Sequence, residues 1–152
     1  MYTIGVLAIQ GSFFEHQRAL HQLGVNAPEI KLPHHLNNVD GLIIPGGEST
    51  TMVQLIDIYG FRSALSEKVH DGMPLWGTCA GMIVIAKQLT DNRPKPLNLM
   101  DIEVNRNAFG RQIDSFEEDI EFDNIGGPPF RAIFIRAPVV TKAGKTVETL
   151  AK

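Results

Sequence analysis

The sequence predicts an α/β domain of three layers, a mainly parallel sheet with helices on both faces. Three observations carry this expectation. Short apolar, β-rich runs alternate with helix-patterned stretches from residue 3 to residue 89. Each run breaks at a small or glycine-bearing loop before the next helical stretch, the order of a strand–loop–helix unit. Apolar residues make up 43% of the chain, enough for a packed core and too many for a disordered segment.

The elements follow in order. Residues 3–9 form a β-rich run ending at Gln10-Gly11, a strand entering a loop. Residues 13–23 have helical spacing, with Phe13, Gln17, Leu20 and Leu23 able to share a face and Gly24 as a stop signal. Residues 29–32 predict a second strand and residues 41–44 a third, broken by "PGGEST". Ser49 or Thr50 can cap a helix running to about Tyr59, and residues 62–70 predict another. Residues 74–76 predict a strand and residues 80–89 the helix after it. Beyond residue 92 the pattern changes to short strands with turns between them, at 102–104, 120–122, 132–135 and 147–150. "EEDIEFDN" alternates Ile120 and Phe122 with acids and reads as a strand with one solvated face. This order puts Gln10-Gly11, Gly46–Ser49 and Cys79 at the carboxyl ends of strands, where open α/β sheets bind ligands.

Length and charge narrow the function classes. A chain of 152 residues suits a single domain over 1–152. A net charge of −3 gives no basic footprint for nucleic acid. One cysteine cannot form an internal disulfide, which fits a reducing compartment. "MYTIGVLAIQG" lacks a basic n-region and reads as a strand, and no apolar window approaches a membrane span. The expected setting is soluble and cytoplasmic. The histidines are His16, His21, His34, His35 and His70. His16 and His21 are five apart and face different ways on a helix, so no zinc pair is expected, and no metal. His34-His35 lies in a polar stretch and reads as solvated.

Three constellations carry chemistry. Gly77-Thr78-Cys79-Ala80-Gly81 lies between an apolar strand and a helix, a G-x-nucleophile-x-G elbow with cysteine as nucleophile. A helix N-terminus there favours thiolate, and the Ala80 N–H is available to an oxyanion. The competing reading is a buried cysteine acting as a small hydrophobe. Pro45–Thr51 combines two glycines with a following helix, which suits an anion or a second oxyanion donor, or equally a plain tight turn. It lacks the lysine and spacing of a Walker A loop. Arg106 and Arg111 in "RNAFGRQ", and Arg136 in "FIRAP", can hold a carboxylate two-pronged or pair locally at the surface.

Taken jointly, "GVLAIQG…EH", "DGLIIPGGESTTM", "GTCAGM", "RNAFGRQIDSFE" and "FIRAP" resemble the glutaminase subunit of pyridoxal 5′-phosphate synthase, a branch of the class I glutamine amidotransferases. The resemblance spans residues 3 to about 150. It implies a flavodoxin-like fold and hydrolysis of glutamine to glutamate and ammonia through a cysteine thioester. The ammonia would pass to a partner synthase subunit, which builds pyridoxal phosphate, so no cofactor is expected on this chain. Carried over by motif, Cys79 is the nucleophile and Gly47 and Ala80 supply oxyanion N–H groups. Gly47, Glu48 and Ser49 line the glutamine pocket, completed by Arg106 and the Ile135-Arg136 pair. Gln10-Gly11 lies near the site and the synthase interface. One departure stands out. The family completes its triad with a later His-x-Glu, whereas no histidine follows Cys79 here and no H-x-E occurs. The expectation is a C-terminally incomplete domain, either a fragment of a longer glutaminase or a shortened, non-catalytic homologue that binds the synthase. A peptidase or chaperone relative is disfavoured because Ala80, not histidine, follows Cys79.

Overall fold

Gly41-Leu42-Ile43-Ile44 is apolar without alternation, and all four residues are buried. A strand with that pattern needs cover on both faces, as parallel sheets have. The computed structural model describes residues 2–91, 93–107, 116–122, 126–134 and 138–151. In it β1 (Ile4–Leu7), β2 (Glu29–Ile30), β3 (Gly41–Ile44) and β4 (Leu75–Gly77) form a parallel sheet in the order β2-β1-β3-β4.

The two faces separate by the period-two alternation of side chains. Leu7, Leu42 and Ile44 point into a core with Met52 and Ile56 of α2 (Ser49–Ile58), Phe61 and Leu65 of α3 (Phe61–His70), and Val84 of α4 (Ala80–Ile85). Val6 and Ile43, also buried, take the opposite face. There α1 (Phe13–Gln22) packs on β1, and its Leu20 shares a surface groove with Ile4, Ile43 and Trp76. The result is three layers. The crossover between β2 and β3 contains a 3-10 turn, Pro33–Asn38, which buries Leu36.

The boundaries differ from the sequence expectation in four places. The helix expected over 80–89 ends at Ile85, and Ala86–Leu89 is a strand, β5. The cause is tertiary: the carbonyls of Val84, Ala86 and Ile85 accept from the amides of Leu97 at 2.8 Å, Asn98 at 3.0 Å and Leu99 at 2.9 Å. These bonds replace the helical ladder and lead β5 into parallel pairing with β6 (Met100–Asn105). No strand forms at 147–150. The third strand of this smaller sheet is β9 (Val139–Ala143), antiparallel to β6, and Val147 packs against the cluster of Ile83, Ala86, Leu89, Ile102 and Val104. The strand expected at 120–122 lies earlier, as β7 (Phe116–Ile120), and pairs antiparallel with β8 (Phe130–Phe134). Finally, neither Ser49 nor Thr50 caps α2. Glu48 does, because its longer side chain reaches back to the Thr50 and Thr51 amides, while Ser49 is already in the first turn and buried.

Candidate active site

Order β2-β1-β3-β4 reverses direction between β1 and β3, and such a switch point opens a crevice at the carboxyl strand ends. The loops after β1 and β3 meet there. Gly11 adopts φ +93° and packs so closely that a Cβ on it would fall on the Gly46 carbonyl oxygen. Ser12 donates its N–H to that same oxygen at 2.9 Å, and Gln10 Oε1 accepts the Glu48 N–H at 3.1 Å. The Gln10-Gly11 loop therefore sits directly on Gly46–Glu48.

The third strand end brings Cys79. Its backbone stands at φ +50°, ψ −107°, a conformation L residues rarely adopt outside functional sites. Two hydrogen bonds and two close glycine approaches hold the turn. The Thr78 N–H donates to the Ile44 carbonyl at 3.1 Å, and the Gly81 N–H to the Thr78 carbonyl at 2.8 Å. A Cβ on Gly77 would stand 2.5 Å from the Gly81 oxygen, and one on Gly81 would overlap the Ile44 carbonyl. Both glycines are thus required by the close approach of β4, α4 and β3. The Cys79 thiol is exposed rather than buried as a small hydrophobe. A Cβ built on Gly46 would lie 3.5 Å from the Cys79 Cβ, so the Pro45–Glu48 loop lies against the nucleophile elbow. With only six residues in α4, the aligned-dipole field behind Cys79 is weaker than the expected helix over 80–89 would supply.

Glu48 spends its carboxylate on α2 rather than on the crevice. It accepts from Thr51 at 2.6 Å and Thr50 at 2.9 Å, and these bonds, Thr51 first, hold its pKa down to about 2. The Glu48 N–H and the Gly47 backbone face the Gln10-Gly11 loop. Ser49 is 5% exposed. Arg106, just past β6, reaches α2: Nη1 donates to Thr50 Oγ1 at 3.2 Å and Nε to Asp91 Oδ2 at 2.6 Å. Its guanidinium is therefore tied to Thr50 at the start of α2 and to Asp91. Arg111, Ile135 and Arg136 lie outside the described residues.

Two further residues join the site without having been read from sequence. Asp91 orients Arg106. His16, one of the five histidines that all precede Cys79 and of which one would have to fold back to act as its base, sits on α1 with Nε2 3.1 Å from Thr78 Oγ1 and its ring edge-on to Trp76, centroids 6.2 Å apart. Burial pushes its pKa down, opposed by the charge of Glu15, and so favours the neutral imidazole. The signal was present: His16 closes the "GVLAIQG…EH" block. His34 and His35 stack edge-to-face on each other, and His35 Nδ1 accepts the Lys31 N–H at 3.3 Å, so that pair stays outside the site. Among the described residues no three His, Cys, Asp or Glu side chains gather as a metal site, and no helix is long and apolar enough to cross a membrane.

The profile of the SNO glutamine amidotransferase family matches residues 6–152. The chain belongs to that family. Within it, the chain is 51% identical to the pyridoxal 5′-phosphate synthase subunit PdxT of Thermotoga neapolitana, over 97% of this chain and 79% of that protein. It is 50% identical to the same subunit of Desulforamulus reducens, over 99% of this chain and 80% of that protein. A crystal structure of glutamine amidotransferase superposes with a TM-score of 0.91 at 44% identity, covering 99% of this chain and 79% of that one. A GMP synthase-like protein from Thermoplasma acidophilum, at 15% identity and a TM-score of 0.62 over 99% of this chain and 72% of that one, shares the fold alone. Membership in the SNO family makes the chain a glutaminase-type amidotransferase, on a mainly parallel sheet with helices, as the sequence predicted.

Proposed function

We propose that this chain hydrolyses glutamine through Cys79 and delivers the ammonia to a synthase subunit that makes pyridoxal 5′-phosphate. The observation that carries the reading is the Cys79 backbone at φ +50°, which exposes a thiol at the crevice formed by three strand ends. The chemistry follows from the geometry. The Cys79 sulfur attacks the carboxamide carbon of glutamine, and negative charge develops on the carboxamide oxygen. Backbone N–H groups of Gly47 and Ala80 are assigned to that oxygen, since preorganised amides stabilise developing charge more than mobile water does. Collapse, with the proton lost by the thiol delivered to the leaving nitrogen, expels ammonia and leaves a thioester on Cys79. Water then cleaves the thioester, releasing glutamate and restoring the thiol. Gly47, Glu48 and Ser49 form the pocket wall, and Arg106 and the Ile135-Arg136 pair complete the substrate site, where a guanidinium suits a carboxylate.

The partner is the synthase subunit, docked near Gln10 and Gly11, and contacts there bear directly on Gly46–Glu48. We take residues 1–152 as one domain working in the cytoplasm in a hetero-oligomer. The His-x-Glu pair expected to serve Cys79 is not among these 152 residues.

The test is ammonia release from glutamine with the synthase present, comparing this chain, its Cys79→Ala variant, and a version extended by the C-terminal portion of a PdxT relative. The extended chain is expected to release ammonia in a Cys79-dependent way. The 152-residue chain is expected to run slower by about three orders of magnitude or more, the usual cost of a lost triad member. Hydrolysis that survives Cys79→Ala in the extended chain would sink the assignment. An extended chain that binds synthase but releases no ammonia would favour a docking role instead.

A further inference from the structure

The helix α1 touches both halves of the site. Its leading loop holds the Pro45–Glu48 segment through Gln10, Gly11 and Ser12. Its second turn reaches the elbow through His16. Thr78, immediately before Cys79, is bonded three ways: N–H to Ile44 at 3.1 Å, carbonyl from Gly81 at 2.8 Å, and hydroxyl with His16 Nε2 at 3.1 Å. The first two are backbone bonds that come with the sheet and the turn. The third is the side-chain link between α1 and the elbow.

We propose that His16 is a positioning residue that clamps α1 to the nucleophile elbow through Thr78 and so sets the presentation of the Cys79 thiol. It acts through Thr78, the residue before the nucleophile. Trp76 and Thr78 are two apart on β4 and its exit and share a face by strand alternation, and the imidazole spans both, ring edge to Trp76 and Nε2 to Thr78. That double contact fixes the imidazole in place, which a single exposed hydrogen bond would not do. Cys79 holds an unfavourable backbone conformation, and such conformations persist only where the surroundings over-determine them. With the clamp released, Thr78 gains freedom and the elbow can relax away from φ +50°. A neutral imidazole suits this task, since it can exchange a hydrogen bond with a hydroxyl from a half-buried position without a desolvated charge. The clamp also gives a route by which a displacement of α1 or its leading loop reaches both the pocket wall and the nucleophile.

This rests on the reading of Cys79 as nucleophile, but its test does not need glutamine turnover. Iodoacetamide alkylates thiols directly, and Cys79 is the only cysteine in the chain. The rate of its alkylation in the 152-residue chain reports how the elbow presents the sulfur. Three variants separate bonding from packing. His16→Phe keeps a ring against Trp76 and removes the bond. His16→Gln places an amide near the Nε2 position and keeps it. Thr78→Val removes the hydroxyl at nearly constant volume. We expect His16→Phe and Thr78→Val each to slow alkylation about three- to tenfold, a change of about 0.7–1.4 kcal/mol. The double variant should be no slower than either single one, because both cut the same link. His16→Gln should return the rate to within about twofold of the parent, which a purely structural role for the ring would not produce. If His16→Phe fails to fold, Thr78→Val and His16→Gln still decide the matter. Alkylation of Thr78→Val at the parent rate, multiplicative losses in the double variant, or a His16→Gln chain as slow as His16→Phe would each overturn the clamp. An extended chain that releases no ammonia with the synthase present, while these alkylation results hold, would overturn the glutaminase reading and leave the clamp standing.

Discussion

Two residues near the crevice carry most of the local strain and charge. Cys79 occupies a conformation costing on the order of 1–3 kcal/mol for a residue with a Cβ. Cys79→Gly removes that cost and adds a glycine entropy penalty of about 0.5–1 kcal/mol. The variant is therefore expected to melt at the parent temperature or a few degrees above it, while losing all alkylation and ammonia release. A lower melting point by calorimetry would show that the elbow is not strained. Glu48 is the charge counterpart. Its carboxylate satisfies two of the orphan amides at the start of α2, first Thr51 and then Thr50. Glu48→Ala should cost about 1 kcal/mol, as loss of an N-cap does. The pH sign follows from the depressed pKa of about 2 against an ordinary 4.5. The cap's contribution is fully present above pH 4.5 and is lost as pH falls toward 2. The melting difference between parent and Glu48→Ala should accordingly shrink across that window. A difference that stays constant down to pH 2 would contradict the carboxylate cap.

At the scale of elements, the elbow is a packing problem. The strands β3 and β4 and the helix α4 approach so closely that Gly77 and Gly81 leave no room for a methyl group. In Gly81→Ala the added carbon meets the Ile44 backbone, not a flexible side chain that could swing away. We expect a loss of about 1–3 kcal/mol or more, read by urea denaturation. A neutral substitution would mean that α4 is not seated as described. The same packing shortens α4. Its residues Ala80–Ile85 are almost all buried, and β5 follows at once because β6 and the Leu97–Leu99 segment offer better partners than another helical turn. Helical periodicity across 80–89 is a property of the local pattern, and tertiary hydrogen bonds override it. The G-x-C-x-G spacing is legible for the opposite reason: the close approach that demands glycine is local to the turn.

For the whole molecule, one face of the parallel sheet depends on a single apolar cluster. Phe61 and Leu65 of α3 and Ile56 of α2 are fully buried against Leu42 and Ile44. Phe61→Ala should cost about 3–5 kcal/mol. Native domains hold about 5–15 kcal/mol in total, so this one truncation takes a large share. It is expected to lower the denaturation midpoint and, in proportion, the fraction of chain able to alkylate at Cys79 near the transition. A change under about 1 kcal/mol would argue against a continuous core beneath the site. Strand order matters at this scale as well. Only because β3 lies beside β1 and β4 do the loops after residues 7, 44 and 77 converge.

The sequence by itself determined the α/β class, the strand–loop–helix order, the elbow around Cys79 and the family. These are properties of short segments: apolar periodicity, glycine spacing and motif blocks are all local. It also pointed to Gln10-Gly11, Gly47–Ser49 and Arg106 as one site through resemblance. Only the tertiary structure decided what each does with its neighbours. It put Glu48, not Ser49, on the helix cap, because cap geometry depends on side-chain reach across a turn. It turned residues 86–89 into a strand and moved the last strand to Val139–Ala143, because pairing partners lie far along the chain. It tied Arg106 to Asp91 and Thr50, and His16 to Thr78, contacts that span 15, 56 and 62 residues. No local pattern encodes such separations. They follow from the order in which the strands pair.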